Sequence, residues 1–588
     1  MKKILRSHYK NLGMSVMELL KLPVMGKKYL NDNMRIENFE RVKEALAKGK
    51  GIILLTAHFG NWEMGSLSIG LRKQKVYVFA REQKHKRLNA LLNNYRRMTG
   101  CHVITKGFSA RAVIKALKDN SIVAMLADQD AGPSGVFVDF FNRPASTARG
   151  PVSFALRTGA TILPTFAWRS DRKDYILRME KPLELIDTGD KEETLKINLE
   201  NISSSLENYI RKFPDKWLWS HKRWKSSPQR TIMVLNDGKP GHLNQALAVA
   251  EMVKEALGSR LEARGIKEKP IVKIKTVDVR FKNRFTRMFL DAASFFAGKR
   301  CQGCLRCVKL CLKKESFNKI KEYADIVISC GASSVAANAF LKYENNAKGI
   351  VIMNPGLGRS NKFDLIVLPR HDAFGKSKSN ALITEIAPNR VLPSASSLSA
   401  KGETSPATAG GQPPAKGLGL LIGGDAKNFK LKKEDVEKVI DSALKMDCEV
   451  FVSTSRRTSP EIEELVEKKL SGEGKWLVIA SKNNKEGVVQ EIFDKSEVII
   501  VSSESMSMIS EAVSSGKHVV VFKATSHKPQ ARKSKYEKSV SNLEQQGYIR
   551  ISAPDMIYDT VKKLLLEKPE IKKIDDRKRI VKRLESLM

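Results

Sequence analysis

Fifteen short apolar runs, each four to nine residues long, recur along the chain and alternate with longer stretches of helical period. Runs this short, rich in Val, Ile and Leu and bounded by turn residues, read as buried strands, and strands alternating with helices read as layered α/β architecture with largely parallel sheets. The first group is GIILLTA (51–57), KVYVFA (75–80), HVIT (102–105), IVAMLA (122–127), ATILPTFAW (160–168) and DYILRME (174–180), with helical patterns such as LNALLNNYRRM and ARAVIKALKD between them. The second is TIMVLND, ADIVISC, KGIVIMN and FDLIVLP (231–369), and the third is GLLIGG, CEVFVSTS, WLVIAS, SEVIIVSS and HVVVFKA beyond residue 418.

At 588 residues the chain has room for two or three domains. The expected layout is a segment 1–34, a domain 35–228, a lobe 229–392, a linker 393–417 rich in Ser, Ala, Gly and Pro, and a lobe 418–588 that ends in a basic tail helix. The opening segment has a basic head, no continuous apolar core and no eighteen-residue apolar run, which argues against a signal peptide or a spanning helix. Leu12, Val16, Leu19, Leu20 and Met25 alternate there with lysines and arginines, so the segment is either an amphipathic anchor for an anionic membrane surface or a helix docked on its own domain.

A net charge of +40 favours anionic partners. Aromatics make up only 7% and no nucleic-acid motif is present, so the expectation is lipid or an acidic carrier and no nucleic acid. Seven cysteines are too few for a disulfide scaffold. Four of them, Cys301, Cys304, Cys307 and Cys311, form C-x2-C-x2-C-x3-C, a spacing that suits an iron–sulfur cluster or zinc but reads more readily as small buried side chains on one face of a helix.

His58 follows the first strand in the domain, and Glu63 follows it by five positions at the turn into a helix. An imidazole with a carboxylate partner is the equipment for taking a proton from a hydroxyl that attacks a thioester; singly, each residue reads equally as a capping His or a solvated Glu. The stretch GKGIILLTAHFGNWE resembles the signature of the lipid A lauroyl/myristoyl (late) acyltransferase family, a glycerolipid-acyltransferase-like α/β fold. YRRMTG, AMLADQD, VDFFNRPASTARGP, TGATILPTFAWR and LWSHKRWK resemble further blocks of that family in the same order. The resemblance implies His58 as general base with Glu63 as its partner, Asp128 in support, and Arg96, Arg149, Asn61 and Gln129 as substrate contacts, with His221, Lys222 and Arg223 as weaker candidates. It implies an acyl carrier protein as donor, a lipid A precursor as acceptor, no cofactor for acyl transfer, and a peripheral position on the cytoplasmic face of a bacterial inner membrane. Two departures are Ala127, where the family usually has proline, and Asn142, where it often has glycine.

NDGKPGHLNQALAVAE (236–251), DIVISCGASSVAA, LPRHDAF, LIGGDAKNFKL, VSTSRRTSPE and SSESMSMISEAVSSGKHVVVF resemble the mitochondrial-fission-protein family, which has GT-B glycosyltransferase character. That resemblance implies a GT-B-like pair of Rossmann-type lobes holding a nucleotide-sugar. The implied contacts are Gly423, Gly424, Ser455, Arg456, Arg457, Ser505 and Glu511 from one lobe and Lys239, Gly241 and His242 from the other. A non-catalytic, glycolipid-binding role for this half is the alternative, as is another lipid acceptor for the first half.

Overall fold

The computed structural model describes residues 2–588 except 73, 81, 106–108, 171–173, 357, 374–378, 392–416, 426–428, 471–475, 484–486, 524 and 527–534. All but the last residue of the expected linker therefore lies outside the described residues. The chain divides into two compact units, residues 1–229 with 261–269, and residues 230–260 with 270–588.

The first unit begins with α1 (Lys2–Asn33) and is built on strands β1 (Met34–Glu37), β2 (Ile52–Thr56), β3 (Val76–Ala80), β4 (Cys101–Thr105) and β5 (Ile122–Leu126). A hairpin of β6 (Val136–Asp139) and β7 (Pro144–Thr147) follows, then β8 (Thr161–Arg169) and β9 (Tyr175–Met179). Helices α2 (Glu40–Ala47), α3 (Trp62–Gly70), α4 (Lys86–Met98), α5 (Ser109–Lys118), α6 (Gly150–Thr158) and α7 (Lys191–Lys212) fill the intervals. The seven-stranded sheet runs β1-β9-β8-β2-β5-β3-β4, parallel except where β8 meets β9. Burial on both faces explains the unbroken apolar runs. Ile52 and Leu54 face one core cluster with Leu67 and Leu177, while Ile53 and Leu55 face another with Val113 and Leu199.

The second unit holds two six-stranded sheets. The first uses β10 (Gln229–Asn236), β11 (Ile271–Asp278), β12 (Ile326–Cys330), β13 (Lys348–Ile352), β14 (Leu365–Pro369) and β15 (Ala381–Thr384), in the order β11-β10-β12-β13-β14-β15. Its helices include α8 (Pro240–Ala263), α9 (Arg284–Ala293), α10 (Arg306–Cys311), α11 (Lys314–Ile320) and α12 (Ala332–Asn345). In the second sheet are β16 (Gly417–Ile422), β18 (Glu449–Thr454), β19 (Trp476–Val478), β20 (Val498–Ser502), β21 (His518–Phe522) and β23 (Arg550–Ser552), ordered β19-β18-β16-β20-β21-β23 and parallel throughout. A separate short pair joins β17 (Phe429–Lys430) to β22 (Thr525–Ser526). Helices α13 (Lys433–Leu444), α14 (Pro460–Leu470), α15 (Val488–Lys495), α16 (Met506–Ser514), α17 (Lys535–Gln545) and α18 (Ile557–Glu567) complete this lobe. Two parallel-sheet lobes of this kind make the GT-B-like pair expected from the sequence.

The tail helix α19 (Asp576–Leu587), expected with the second lobe, adds to the core of the first: Ile580 and Leu584 are buried with Ile232, Val234 and Val249. Asp576 fixes its start by accepting hydrogen bonds from the backbone N–H groups of Glu385 (2.7 Å) and Ile386 (3.1 Å). Short strands β1, β6, β7, β11, β15 and β23 had no strong apolar run to announce them; β11, for example, is mostly solvent-exposed.

Candidate functional site

Sheet register brings the first unit's chemistry together. Thr56 and Leu126 are partners at the carboxyl ends of the adjacent parallel strands β2 and β5, and His58 and Asp128 each lie two residues beyond. Ligand and catalytic groups gather at such strand ends in α/β sheets. The His58 ring places Nδ1 2.8 Å from Asp128 Oδ1. Asp128, 1% exposed, also accepts from the His58 backbone N–H (3.0 Å) and from Trp217 Nε1–H (2.9 Å) on its other oxygen. Burial alone would raise the Asp128 carboxyl, but the hydrogen bonds from His58 and Trp217 and the nearby imidazoles win, and it is held below the usual carboxylate range. An ionised Asp128 fixes the His58 proton on Nδ1 and leaves Nε2 as the basic atom. Gln129 reaches that atom through its amide nitrogen at 3.3 Å, and Trp62 packs edge-on against the ring, 4.9 Å between centroids.

Glu63 is not the partner of His58. Asn61 caps α3 by accepting the Met64 N–H (3.3 Å), and the helix carries the Glu63 carboxylate away to Arg96 on α4. Arg96 grips it in a fork, Nη2 to Oε1 at 2.6 Å and Nε to Oε2 at 3.2 Å, and also donates to Asn93 (3.0 Å). Neither Glu63 nor Arg96 is therefore free for the expected role, and the pair holds α3 to α4. Asn61 is committed as well: besides capping, it donates to Glu18 of α1 at 2.9 Å, and Glu18 is ion-paired with Arg169. Arg149 is half-exposed and paired with Glu192 at 2.6 Å. Arg223, a weaker candidate for substrate contact, is buried: it donates to the Ser146 carbonyl (2.5 Å) and to Thr147 Oγ1 (2.6 Å), and burial pulls its guanidinium down to about 10. His221 sits 6.0 Å from His58 between ring centroids, and burial holds it below the ordinary histidine range. Asn142, which departs from the glycine often found in the resembled family, adopts φ +59°, a left-handed conformation that asparagine tolerates. Trp217 and Arg223 as supports, and Glu18 as the link from α1, were not foreseen. The cavity behind Asp128, lined by Thr56, Ala57, Phe166, Ser203, Leu206 and Arg223 among others, measures about 20 Å³ and fits one water, not an acyl chain.

In the second unit, the loops after β16, β18 and β20 line one sheet edge, since Ile422 pairs with Thr454 and Leu421 with Val501. These loops carry Gly423 and Gly424, Ser455 to Arg457, and Ser505, the residue before α16. A Cβ on Gly424 would stand 2.0 Å from the Arg457 carbonyl oxygen, so only glycine lets these loops meet. Arg456 and Arg457 are exposed, whereas the Ser455 hydroxyl accepts from the Arg457 N–H at 3.1 Å. Glu504, buried, accepts from Ser502 at 2.8 Å and has one carboxylate oxygen without a partner. Glu511 lies inside α16, where burial pushes it up to about 7. At the other lobe, His242 lies over Gly331 with its Nδ1 3.0 Å from Asp237 Oδ2, which also accepts from Ser333 at 2.5 Å. Lys239 is exposed just ahead of α8, and Gly241 is in the first turn of that helix. Asp237 and Ser333 had not been singled out.

The four-cysteine run does not lie along one helix. Cys301 ends a 3-10 turn, Cys304 is exposed in a loop, and only Cys307 and Cys311 share α10. Among the described residues no three His, Cys, Asp or Glu are grouped to hold a metal ion, and Cys311 is packed in the lobe's core.

Residues 240–587, more than half the chain, match the family model described as Mitochondrial fission ELM1. The chain belongs to that family. Residues 1–226 match the model described as Bacterial lipid A biosynthesis acyltransferase, so a stretch similar to those acyltransferases precedes the part that matches the first model. Among curated relatives, a phosphatidylinositol mannoside acyltransferase of Mycobacterium tuberculosis (strain CDC 1551 / Oshkosh) is 30% identical over 161 residues, 26% of this chain and 51% of that one. The chain thus spans about half the length of that relative. The lipid A biosynthesis lauroyltransferase of Escherichia coli (strain K12) is 26% identical over 231 residues, 39% of this chain and 74% of that one. Among solved structures, MurG of Acinetobacter baumannii is similar at 13% identity, with 60% of this chain and 93% of that one covered and a TM-score of 0.31.

Proposed function

We propose that the first unit transfers an acyl group from an acyl carrier protein thioester to a hydroxyl of a lipid A precursor, with His58 as general base and Asp128 as its partner. The 2.8 Å contact between His58 Nδ1 and the buried Asp128 carboxylate carries this reading. His58 Nε2 takes the hydroxyl proton as the oxygen attacks the thioester carbonyl; the C–S bond then breaks, and the proton on the imidazolium passes to the departing thiolate. Asp128 stabilises the imidazolium and fixes the ring. The step needs no metal or other cofactor. A phosphatidylinositol mannoside is the second acceptor to test, because relatives with that name are 28–30% identical to this chain over 155–161 residues.

We propose the cytoplasmic face of a bacterial inner membrane as the site of this reaction, with the protein peripheral. Supporting this, α1 exposes Leu5, Val16, Met17, Leu20 and Val24 among Lys3, Arg6, Lys10 and Lys21, while Leu22 is buried in the core. Among the described residues no helix is long and apolar enough to cross a membrane. For the second unit we infer nucleotide-sugar transfer, the loops after β16, β18 and β20 holding the nucleotide and His242, held by Asp237, acting as base on the acceptor. Mass spectrometry of lipids from cells lacking the protein tests both halves: a missing acyl chain and a missing sugar are expected, and an unchanged lipid profile would overturn the proposal.

A further inference from the structure

The first lobe of the second unit carries a surface that neither proposed reaction uses. Between β11 and β12 the chain runs through α9, a 3-10 turn at Ser294–Phe296 and α10, and α9 packs against both of the others. A capping box between Asn283 and Thr286 fixes the start of α9. Leu290 anchors the helix in the lobe's core together with Val308 and Cys311 of α10. Phe285, Met288 and Phe289, spaced to share one face, point to solvent instead, as do Phe295, Phe296 and, on α10, Leu310. Phe285 is 81% exposed and Phe296 88%. Single exposed apolar residues are ordinary, but six large ones on α9 and the two elements packed against it mark an interaction surface.

The segment that carries them is strongly basic. From Arg280 to Lys314 the sequence has ten Lys or Arg and a single acidic residue, Asp291, which lies 3.4 Å from Arg359. Lys282, Arg284, Arg287, Lys299, Arg300 and Lys309 are all exposed. Aromatic side chains standing out of a field of fixed cations match the boundary of an anionic bilayer, where rings enter the headgroup region and the cations meet phosphates.

We propose that α9, the Ser294–Phe296 turn and α10 dock the second unit on an anionic lipid surface, with Phe285, Phe289 and Phe296 inserted and the surrounding lysines and arginines on the headgroup phosphates. This surface is separate from α1 and stands whether or not His58 transfers acyl groups. The full chain is sedimented with vesicles of phosphatidylcholine alone or with roughly a quarter phosphatidylglycerol. Four forms are compared: wild type, Phe285→Ser/Phe289→Ser/Phe296→Ser, Arg284→Glu/Arg287→Glu/Lys309→Glu, and an α1 control, Leu5→Ser/Val16→Ser/Leu20→Ser. All the replaced side chains are exposed, and unchanged thermal unfolding checks that each variant folds. Both surface variants are expected to bind anionic vesicles at least about tenfold more weakly. Hydrogen exchange across 284–310 is expected to slow with anionic vesicles but not with neutral ones, and to do so in the α1 control as well. Wild-type binding by both surface variants would overturn the proposal. So would slowed exchange that appears on concentrating the protein without lipid, the sign of a second copy, or slowing caused by acyl carrier protein and not by vesicles.

Discussion

Replacing Asp128 by Asn removes one charge and almost no volume, and it separates the two carboxylates that follow His58. Asp128 accepts three hydrogen bonds, two of them from His58 and one from Trp217. An asparagine amide must turn an N–H group toward one of those donors, so it misplaces the ring proton as well as losing the charge. At the observed 2.8 Å, attraction between the carboxylate and the transient imidazolium is about 6 kcal/mol with an effective dielectric constant near 20. Losing most of it should lower kcat by about 10³–10⁴-fold, a barrier increase of about 4–5.5 kcal/mol, with little change in KM. Glu63→Gln is the control. It breaks the fork to Arg96, so the fold should lose about 3 kcal/mol, the scale for breaking a buried ion pair, while kcat of the folded protein stays within about tenfold. The assay is transfer of a labelled acyl group from acyl carrier protein, with thermal unfolding of each variant alongside. Near wild-type turnover in Asp128→Asn, or a folded Glu63→Gln as inactive as the aspartate variant, would refute the reasoning.

Three further outcomes are expected. Glu511, raised from 4.5 to about 7 by burial, favours the folded state most when protonated, so its contribution is full below pH 4.5, declines as pH rises to 7 and is level beyond. Denaturant titrations across that range should show Glu511→Gln escaping a loss of at most about 3 kcal/mol, and parallel curves for the two proteins would contradict it. Gly424→Ala forces a Cβ within 2.0 Å of the Arg457 carbonyl oxygen and should cost about 1–3 kcal/mol, read as a lower unfolding midpoint. Asp237→Asn leaves His242 without its carboxylate and should slow sugar transfer by about a hundredfold, measured as nucleoside diphosphate release.

The sheet strands with unbroken apolar runs were legible because burial on both faces requires such runs. His58 was legible for the same reason, as the first polar side chain past a buried strand. Its partner was misread because closeness in sequence stood in for closeness in space. Five positions carry Glu63 around the first turn of α3 to Arg96, while seventy positions return Asp128 to the neighbouring strand end. A signal was present: IILLTA-His and IVAMLA-Asp end alike, in alanine and then a polar residue, and parallel pairing of the two runs aligns those ends. Arginines carry no such mark. Arg96 and Arg149, and more weakly Arg223, look suited to substrate contact in the sequence, but each is paired within the chain with a partner set by tertiary contacts. Spacing also misled at Cys301 to Cys311, because Gly303, with φ +73°, lies in the loop that separates the first cysteines from α10.

Single-turnover acyl transfer by intact protein and by His58→Ala, on the same thioester and lipid acceptor, tests the proposed chemistry most directly. With Nε2 as the proton acceptor, the variant should be slower by at least about a hundredfold while unfolding at an unchanged temperature. Equal rates in the two proteins would contradict the assignment of His58 and Asp128 as the reacting pair.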